Sequence, residues 1–201
     1  MNIRQPAFNS PHYTGQAFSV SFLDVKDSGG TDTRVIAQVC FDLKGAPVNV
    51  FNQSVFDELH LVLDQLEDAP ELAGVIFTSG KSVFVAGAEI PALLAFGKAD
   101  DVTGIHKHVM SGQSAFSRIE ALPVPTVAAI NGVALGGGLE FALASDARVM
   151  SERAKVGLPE VNLGLFPGYA GTVRLPRMID PVTAMQWIST GKPQSAQSAL
   201  D

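Results

Sequence analysis

Three consecutive glycines, Gly136-Gly137-Gly138, separate two apolar segments, and they restrict the fold of this chain more than any other stretch. Ahead of them, Thr126-Val127-Ala128-Ala129-Ile130 reads as a buried strand of small and β-branched residues. Behind them, Phe141-Ala142-Leu143-Ala144 reads as the opening of a helix, with Glu140 in its first turn. A glycine run is costly in backbone entropy, so it is kept where no Cβ fits. At a helix N-terminus such a backbone offers unpaired N–H groups and a positive dipole end to an anion. The same residues also allow a plain strand-to-helix turn whose glutamate merely suits the dipole. Both readings stay open on this stretch alone.

The chain has 201 residues, enough for one domain with a sizeable core. Only 17% of them are charged, a low share that leaves surface for self-association. A formal net charge of −6 and the lack of a basic run argue against nucleic-acid partners or an anionic membrane surface. The single cysteine, Cys40, cannot form an internal disulfide and fits a reducing compartment, so the expected location is the cytoplasm. Met1 to Gly15 is polar and is not a signal peptide. Ala121 to Leu139 carries no charge over nineteen residues, yet Pro123, Pro125 and the glycines rule out one continuous membrane helix.

Residues 1–15 are expected to form a flexible leader, followed by a domain over 16–201. Phe18–Val25 and Arg34–Phe41 read as strands of a hairpin about Asp27-Ser28-Gly29-Gly30. Asn52 can cap a helix to about Asp68, with Val55, Phe56, Leu59, Val62, Leu63 and Leu66 on one face and Pro70 just past its end. Gly74–Thr78 is the next strand, and Pro91 opens a short helix to Phe96. A longer helix is expected over Asp100–Ala121, then the strand Thr126–Ile130. Short strands at Ala147–Ser151 and Lys155–Gly157 and helices at Gly171–Met178 and Pro181–Thr190 follow. Ser195 caps a last helix that stops before one face is complete, so the domain reads as truncated at its C-terminus. A strand–helix unit recurs near residues 35, 74 and 127, which favours a parallel α/β architecture.

Several chemistries can be set aside. Gly80-Lys81-Ser82 follows a strand, but Val75 stands where a phosphate-binding loop needs its first glycine. The glycine cluster also lacks dinucleotide-binding spacing. His106 and His108 on a helix point apart, so no metal is expected and both are placed in solvent. His12 and His60 have no chemical company, and Cys40 is assigned to packing. Two carboxylates remain: Glu140, and Glu160 twenty residues on in Gly157-Leu158-Pro159-Glu160. Leu158, Val161 and Leu163 give Glu160 apolar neighbours, and a glutamate in such company is paired or functional. Spacing alone still allows an ordinary surface-turn glutamate.

Val85-Ala86-Gly87-Ala88-Glu89, Pro125-Thr126 through the triple glycine to Glu140, Pro159-Glu160, and the run Gly164 to Thr172 together resemble the enoyl-CoA hydratase/isomerase (crotonase) family. The resemblance spans about Val35 to Ala199. With Leu122-Pro123-Val124-Pro125 and Arg174-Leu175-Pro176-Arg177-Met178, it is most similar to the hydratase region of multifunctional fatty-acid oxidation complex alpha subunits, in which a dehydrogenase follows on the same chain.

That resemblance implies a crotonase-type α/β spiral of stacked ββα units, assembled as a trimer or dimer of trimers. It implies an acyl-CoA thioester as substrate, with its carbonyl oxygen held by the N–H groups of Ala88 and Gly137 and the substrate bound along Ala86, Gly87 and Gly136. Glu160 matches the residue that exchanges the α-carbon proton, and Glu140 the one that orients and activates water. The implied activity is enoyl-CoA hydration in β-oxidation, with no cofactor beyond the CoA of the substrate. A Δ3–Δ2 enoyl-CoA isomerase and a non-catalytic CoA-binding or assembly module are the alternatives. Two departures stand out. Glu89 replaces the usual aspartate, and Ser82 and Pro91 replace flanking lysines that meet the CoA phosphates, leaving Lys81 as the substitute.

Overall fold

A computed structural model describes residues 12–26, 33–69 and 71–200. The hairpin forms as read: β2 (Phe18–Lys26) pairs antiparallel with β3 (Thr33–Phe41) from Phe18 opposite Phe41 to Lys26 opposite Thr33. Its turn at Asp27–Gly30, Pro70 and most of the expected leader lie outside the described residues. Within that leader, however, His12–Thr14 form β1, which adds antiparallel to β2.

Asn52 caps α1 (Gln53–Glu67) as its spacing predicts, accepting the Val55 N–H at 3.0 Å. All six apolar residues of the predicted face are buried. Each contributes about 1.5–3 kcal/mol relative to exposure, and this packing, more than helix propensity, holds α1 in place. The chain then enters β4 (Leu72–Ser79), α2 (Ile90–Lys98) and α3 (Val102–Glu120), whose cap Asp101 accepts the Gly104 N–H at 2.8 Å.

Next come β5 (Thr126–Ile130), β6 (Ala134–Leu135), α4 (Gly137–Leu143) and β7 (Ala147–Met150). The uncharged stretch is thus split between strands, a turn and a helix start. The main sheet has the order β1-β2-β3-β4-β5-β7, parallel from β3 onward. The units near residues 35, 74 and 127 supply those parallel strands.

β8 (Lys155–Gly157) pairs parallel with β6 and antiparallel with β9 (Gln194–Ser195) in a second, three-stranded sheet. The helix read over Gly171–Met178 is α5 (Gly171–Arg174) followed by a 3₁₀ turn at Leu175–Arg177, where Pro176 interrupts it. α6 (Pro181–Thr190) matches its reading, and α7 (Ala196–Leu200) begins at Ser195, whose hydroxyl accepts the Ser198 N–H. Among the described residues no helix is long and apolar enough to cross a membrane.

Phenylalanines knit the layers together. Phe51, ahead of α1, packs against Phe41, Phe56, Phe116 and Phe141 with ring centroids 5.0–5.7 Å apart. It therefore joins β3, α1, α3 and α4 under the glycine turn, and each such pair adds about 0.5–1.5 kcal/mol beyond area burial.

Candidate active site

The glycine turn is pressed against the segment 82–88, and this contact explains the composition of both. A Cβ on Gly132 would overlap the Ser82 carbonyl, and one on Gly138 would overlap the Val85 carbonyl. Gly136 has φ +53°, a left-handed conformation that L side chains rarely adopt. Val85 bridges Ala134 in parallel: its N–H donates to the Val133 carbonyl, and its own carbonyl accepts the Leu135 N–H. Gly87, at φ +112°, comes so close that a Cβ there would stand 3.8 Å from the Gly137 nitrogen.

Ala88 bridges Phe51 on the other side. The Phe51 N–H donates to the Gly87 carbonyl at 2.8 Å and the Glu89 N–H to the Phe51 carbonyl at 2.9 Å. Alternate peptide groups of an extended segment face opposite ways, so the Ala88 N–H is turned away from Phe51. Among the described residues no partner accepts the N–H of Ala88 or of Gly137. The buried Asn49 fixes the segment from behind. Its amide donates to the Phe41 and Phe84 carbonyls and the Ser79 hydroxyl, its side-chain oxygen accepts the Leu43 N–H, and its backbone carbonyl accepts the Ala86 N–H.

Glu140 is 1% exposed in the first turn of α4. Its Oε1 accepts the N–H of Tyr169 at 2.8 Å and of Gly171 at 2.7 Å. Ala170 between them takes a left-handed φ of +75°, which lets both N–H groups converge on one oxygen. Burial pushes the Glu140 carboxyl from 4.5 up to about 8; the two N–H bonds pull it down and nearby Glu160 adds to the rise.

Glu160 sits in a 3₁₀ turn, Pro159–Leu163, and its Oε1 lies 2.8 Å from where a Gly136 Cβ would be. Burial pushes its carboxyl up as well. Its Oε2 is buried with no hydrogen-bond partner, a costly state unless something else visits it. Burial raises both carboxyl groups, and the charge of Glu160 raises Glu140 further, so Glu140 keeps its proton to a higher pH than a free glutamate does.

The structure therefore brings together Ala86, Gly87, Ala88, Gly136, Gly137, Glu140 and Glu160. Lys81 has a side-chain partner of its own. Its carbonyl accepts from Asn131 beside the turn, but its ammonium is paired with Asp42 at 2.8 Å. The Glu89 carboxylate accepts from the Asn52 side chain at 3.0 Å.

Three expectations need correction. His108 is not in solvent: it is 2% exposed and shares a 2.8 Å hydrogen bond with the Tyr169 hydroxyl, and burial holds it neutral by lowering its pKa. His60 has company, because its ring nitrogens meet Arg118 and the Ser111 carbonyl. Of the apolar neighbours assigned to Glu160, only Leu158 is buried, and Val161 and Leu163 are exposed; the enclosure comes from the glycine turn.

Reasoning from the residues missed Asn49, Tyr169 and Arg174. The Arg174 guanidinium is nearly buried, donating to the Tyr169 carbonyl at 2.9 Å and to Glu120 at 3.0 Å. Tyr169 and Arg174 both fall in quoted motifs, which was the available signal. A separate cavity of about 600 Å³ is lined by Leu139 and Leu143 of α4 with Trp187 and Leu175, and neither carboxylate lines it. Among the described residues no cluster of three His, Cys, Asp or Glu could hold a metal.

Fold and site together define a crotonase-type α/β protein, in which a glycine turn and a neighbouring strand present two free N–H groups beside buried carboxylates. The chain belongs to the enoyl-CoA hydratase/isomerase family, whose model matches residues 33–201. A fatty acid oxidation complex subunit alpha of Pseudomonas aeruginosa is 47% identical over 192 residues, which is 94% of this chain and 25% of that protein. The counterpart from Pseudomonas entomophila is 45% identical over 188 residues. The chain thus spans about a quarter of the length of these curated relatives. Among solved structures, an enoyl-CoA hydratase from Bacillus anthracis superposes with a TM-score of 0.75 at 33% identity, covering 82% of this chain and 62% of that one. An enoyl-CoA hydratase from Geobacillus kaustophilus reaches 0.80 at 29% identity, covering 94% and 66%.

Proposed function

We propose that this chain catalyses reversible syn addition of water to trans-2-enoyl-CoA thioesters, the hydration step of fatty-acid β-oxidation. One observation carries the reading. Glu160, with a buried and unpartnered oxygen, and Glu140, held by two N–H groups, are coupled carboxylates beside the free N–H groups of Ala88 and Gly137. A thioester carbonyl accepting both N–H groups gains negative charge as water attacks, and one such donor is worth about 3–4 kcal/mol of barrier. Glu140 in its ionised form, which its two N–H bonds favour, takes a proton from water as the water oxygen bonds to the β-carbon. Glu160 in its protonated form meanwhile delivers a proton to the α-carbon. One carboxyl gives as the other accepts, so the pair needs no outside proton and no redox or metal cofactor. The names of these relatives and solved structures support this substrate class.

Ala86, Gly87 and Gly136 line the approach of the thioester, their backbones close enough to bind without side chains. Lys81 meets a CoA phosphate only by leaving Asp42. That exchange is cheap, because a partly exposed ion pair is worth about 0–1 kcal/mol. Exposed Leu163, Leu165, Phe166 and Val173, near one another in the chain, offer an apolar surface suited to a homo-oligomer such as a trimer.

The unencumbered Glu160 oxygen also favours a second activity. A Δ3–Δ2 double-bond shift needs a single base to carry a proton between two carbons, and Oε2 is free to do so. Assaying trans-2- and trans-3-enoyl-CoA side by side separates these activities. Hydration of the first supports a hydratase, interconversion alone makes the chain an isomerase, and binding without turnover makes it a CoA-binding module.

A further inference from the structure

Tyr169 touches both halves of the candidate site. Its ring edge lies 3.0–3.1 Å from where a Cβ on Gly137 would stand, so it packs against the residue that carries that N–H. Its own backbone N–H donates to Glu140, and its carbonyl accepts from Arg174, which Glu120 and Ser117 of α3 hold in turn. The ring is boxed by Phe56 and Phe116 in edge-to-face contacts, with centroids 5.2 and 5.7 Å away. Gly112 of α3 makes room for it, since a Cβ there would overlap the ring. The hydroxyl reaches His108, also on α3, at 2.8 Å. The residue is therefore pinned at three points, and two of them lead to α3.

A phenylalanine would fill this aromatic box with no buried hydroxyl or imidazole to satisfy. Replacing both partners of a buried hydrogen bond with apolar groups of like shape is close to neutral for stability. What a polar pair adds in such surroundings is direction, because it selects one ring position where apolar contact accepts several. We propose that Tyr169, anchored to α3 through His108, is a positioning residue that sets where the Gly137 N–H and the Glu140 carboxyl stand for the reaction. The inference rests on the hydratase/isomerase reading of the site, but it concerns residues to which that reading gives no role.

The test compares wild type, Tyr169→Phe, His108→Phe and the double variant in the full-length natural protein. Crotonyl-CoA turnover, thermal melting and carboxyl titration of ¹³C-glutamate-labelled protein by NMR are read for each. Each single variant should lower kcat about 5–30-fold, the effect of losing roughly 1–2 kcal/mol of positioning, with KM within about twofold. The double variant should recover the melting temperature of wild type but not its kcat. The Glu140 carboxyl should titrate higher by about 0.5 in Tyr169→Phe, as N–H bonds that favour its ionised form loosen. Unchanged kcat in Tyr169→Phe, or kcat restored together with stability in the double variant, overturns the proposal. Should wild type turn over no enoyl-CoA, the hydratase/isomerase reading fails and the titration decides this one. A Glu140 that titrates alike in wild type and Tyr169→Phe overturns it, and an upward move sustains it.

Discussion

Replacing Glu140 with glutamine should stabilise the protein in a pH-dependent way while removing activity. The carboxyl is 1% exposed, and burial raises its pKa from 4.5 to about 8. A group whose folded pKa lies above its unfolded value contributes stability that is fully present below the unfolded value, about 4.5. That contribution is lost as pH rises through the folded value, about 8. At 1.36 kcal/mol per pH unit, and allowing for relaxation around the charged carboxylate, the loss across this window is on the order of 2–4 kcal/mol. Glutamine stays neutral throughout, and its side-chain oxygen can still accept the Tyr169 and Gly171 N–H groups. Thermal melts of wild type and Glu140→Gln should therefore coincide near pH 4.5 and separate by roughly 5–10 °C near pH 8, with the variant the more stable. A constant difference at every pH would refute the buried, proton-holding carboxyl. A variant less stable at high pH would mean that the two N–H bonds outweigh burial and keep Glu140 ionised.

Further predictions concern the frame of the site. Gly138→Ala forces a Cβ into the Val85 carbonyl, a backbone atom that cannot swing aside, and urea unfolding should show a loss of about 2–4 kcal/mol. Asn49→Ala strands several buried hydrogen-bond partners and should cost about 2–4 kcal/mol by the same measurement, with crotonyl-CoA turnover falling as the 84–88 segment loosens. Phe166→Ser removes the most exposed aromatic of the apolar loop, at 74% exposure, and sedimentation velocity should show a shift toward smaller species.

Much of the fold is legible in the sequence where an element is long enough to show a period. The six-residue face of α1, the apolar run of β5 and the Pro181 start of α6 all emerge as read. Strands β1, β6 and β9 are two or three residues long, too short for alternation to register, and only their partners reveal them. The histidines show how a correct local rule leads to a wrong placement. Residues two apart on a helix do point apart, and this sends His106 to solvent and His108 into the core.

Spacing left Glu140 and Glu160 as either surface charges or an acid–base pair, and the family motifs supplied the roles. The physical ground for pairing them lies in contacts between distant segments, with Glu160 against Gly136 and Tyr169 N–H on Glu140. The double duty of Tyr169 is invisible in one dimension, because its hydroxyl partner stands 61 residues away.

The central claim is that the Glu160 carboxyl carries the α-carbon proton. Its most direct test is the rate of crotonyl-CoA hydration by Glu160→Gln beside wild type, in the full-length natural protein. The expected result is active wild type and a kcat about 10²–10⁴-fold lower in the variant, the range for loss of an acid–base residue. Equal rates in the two proteins would contradict it and remove Glu160 from the mechanism.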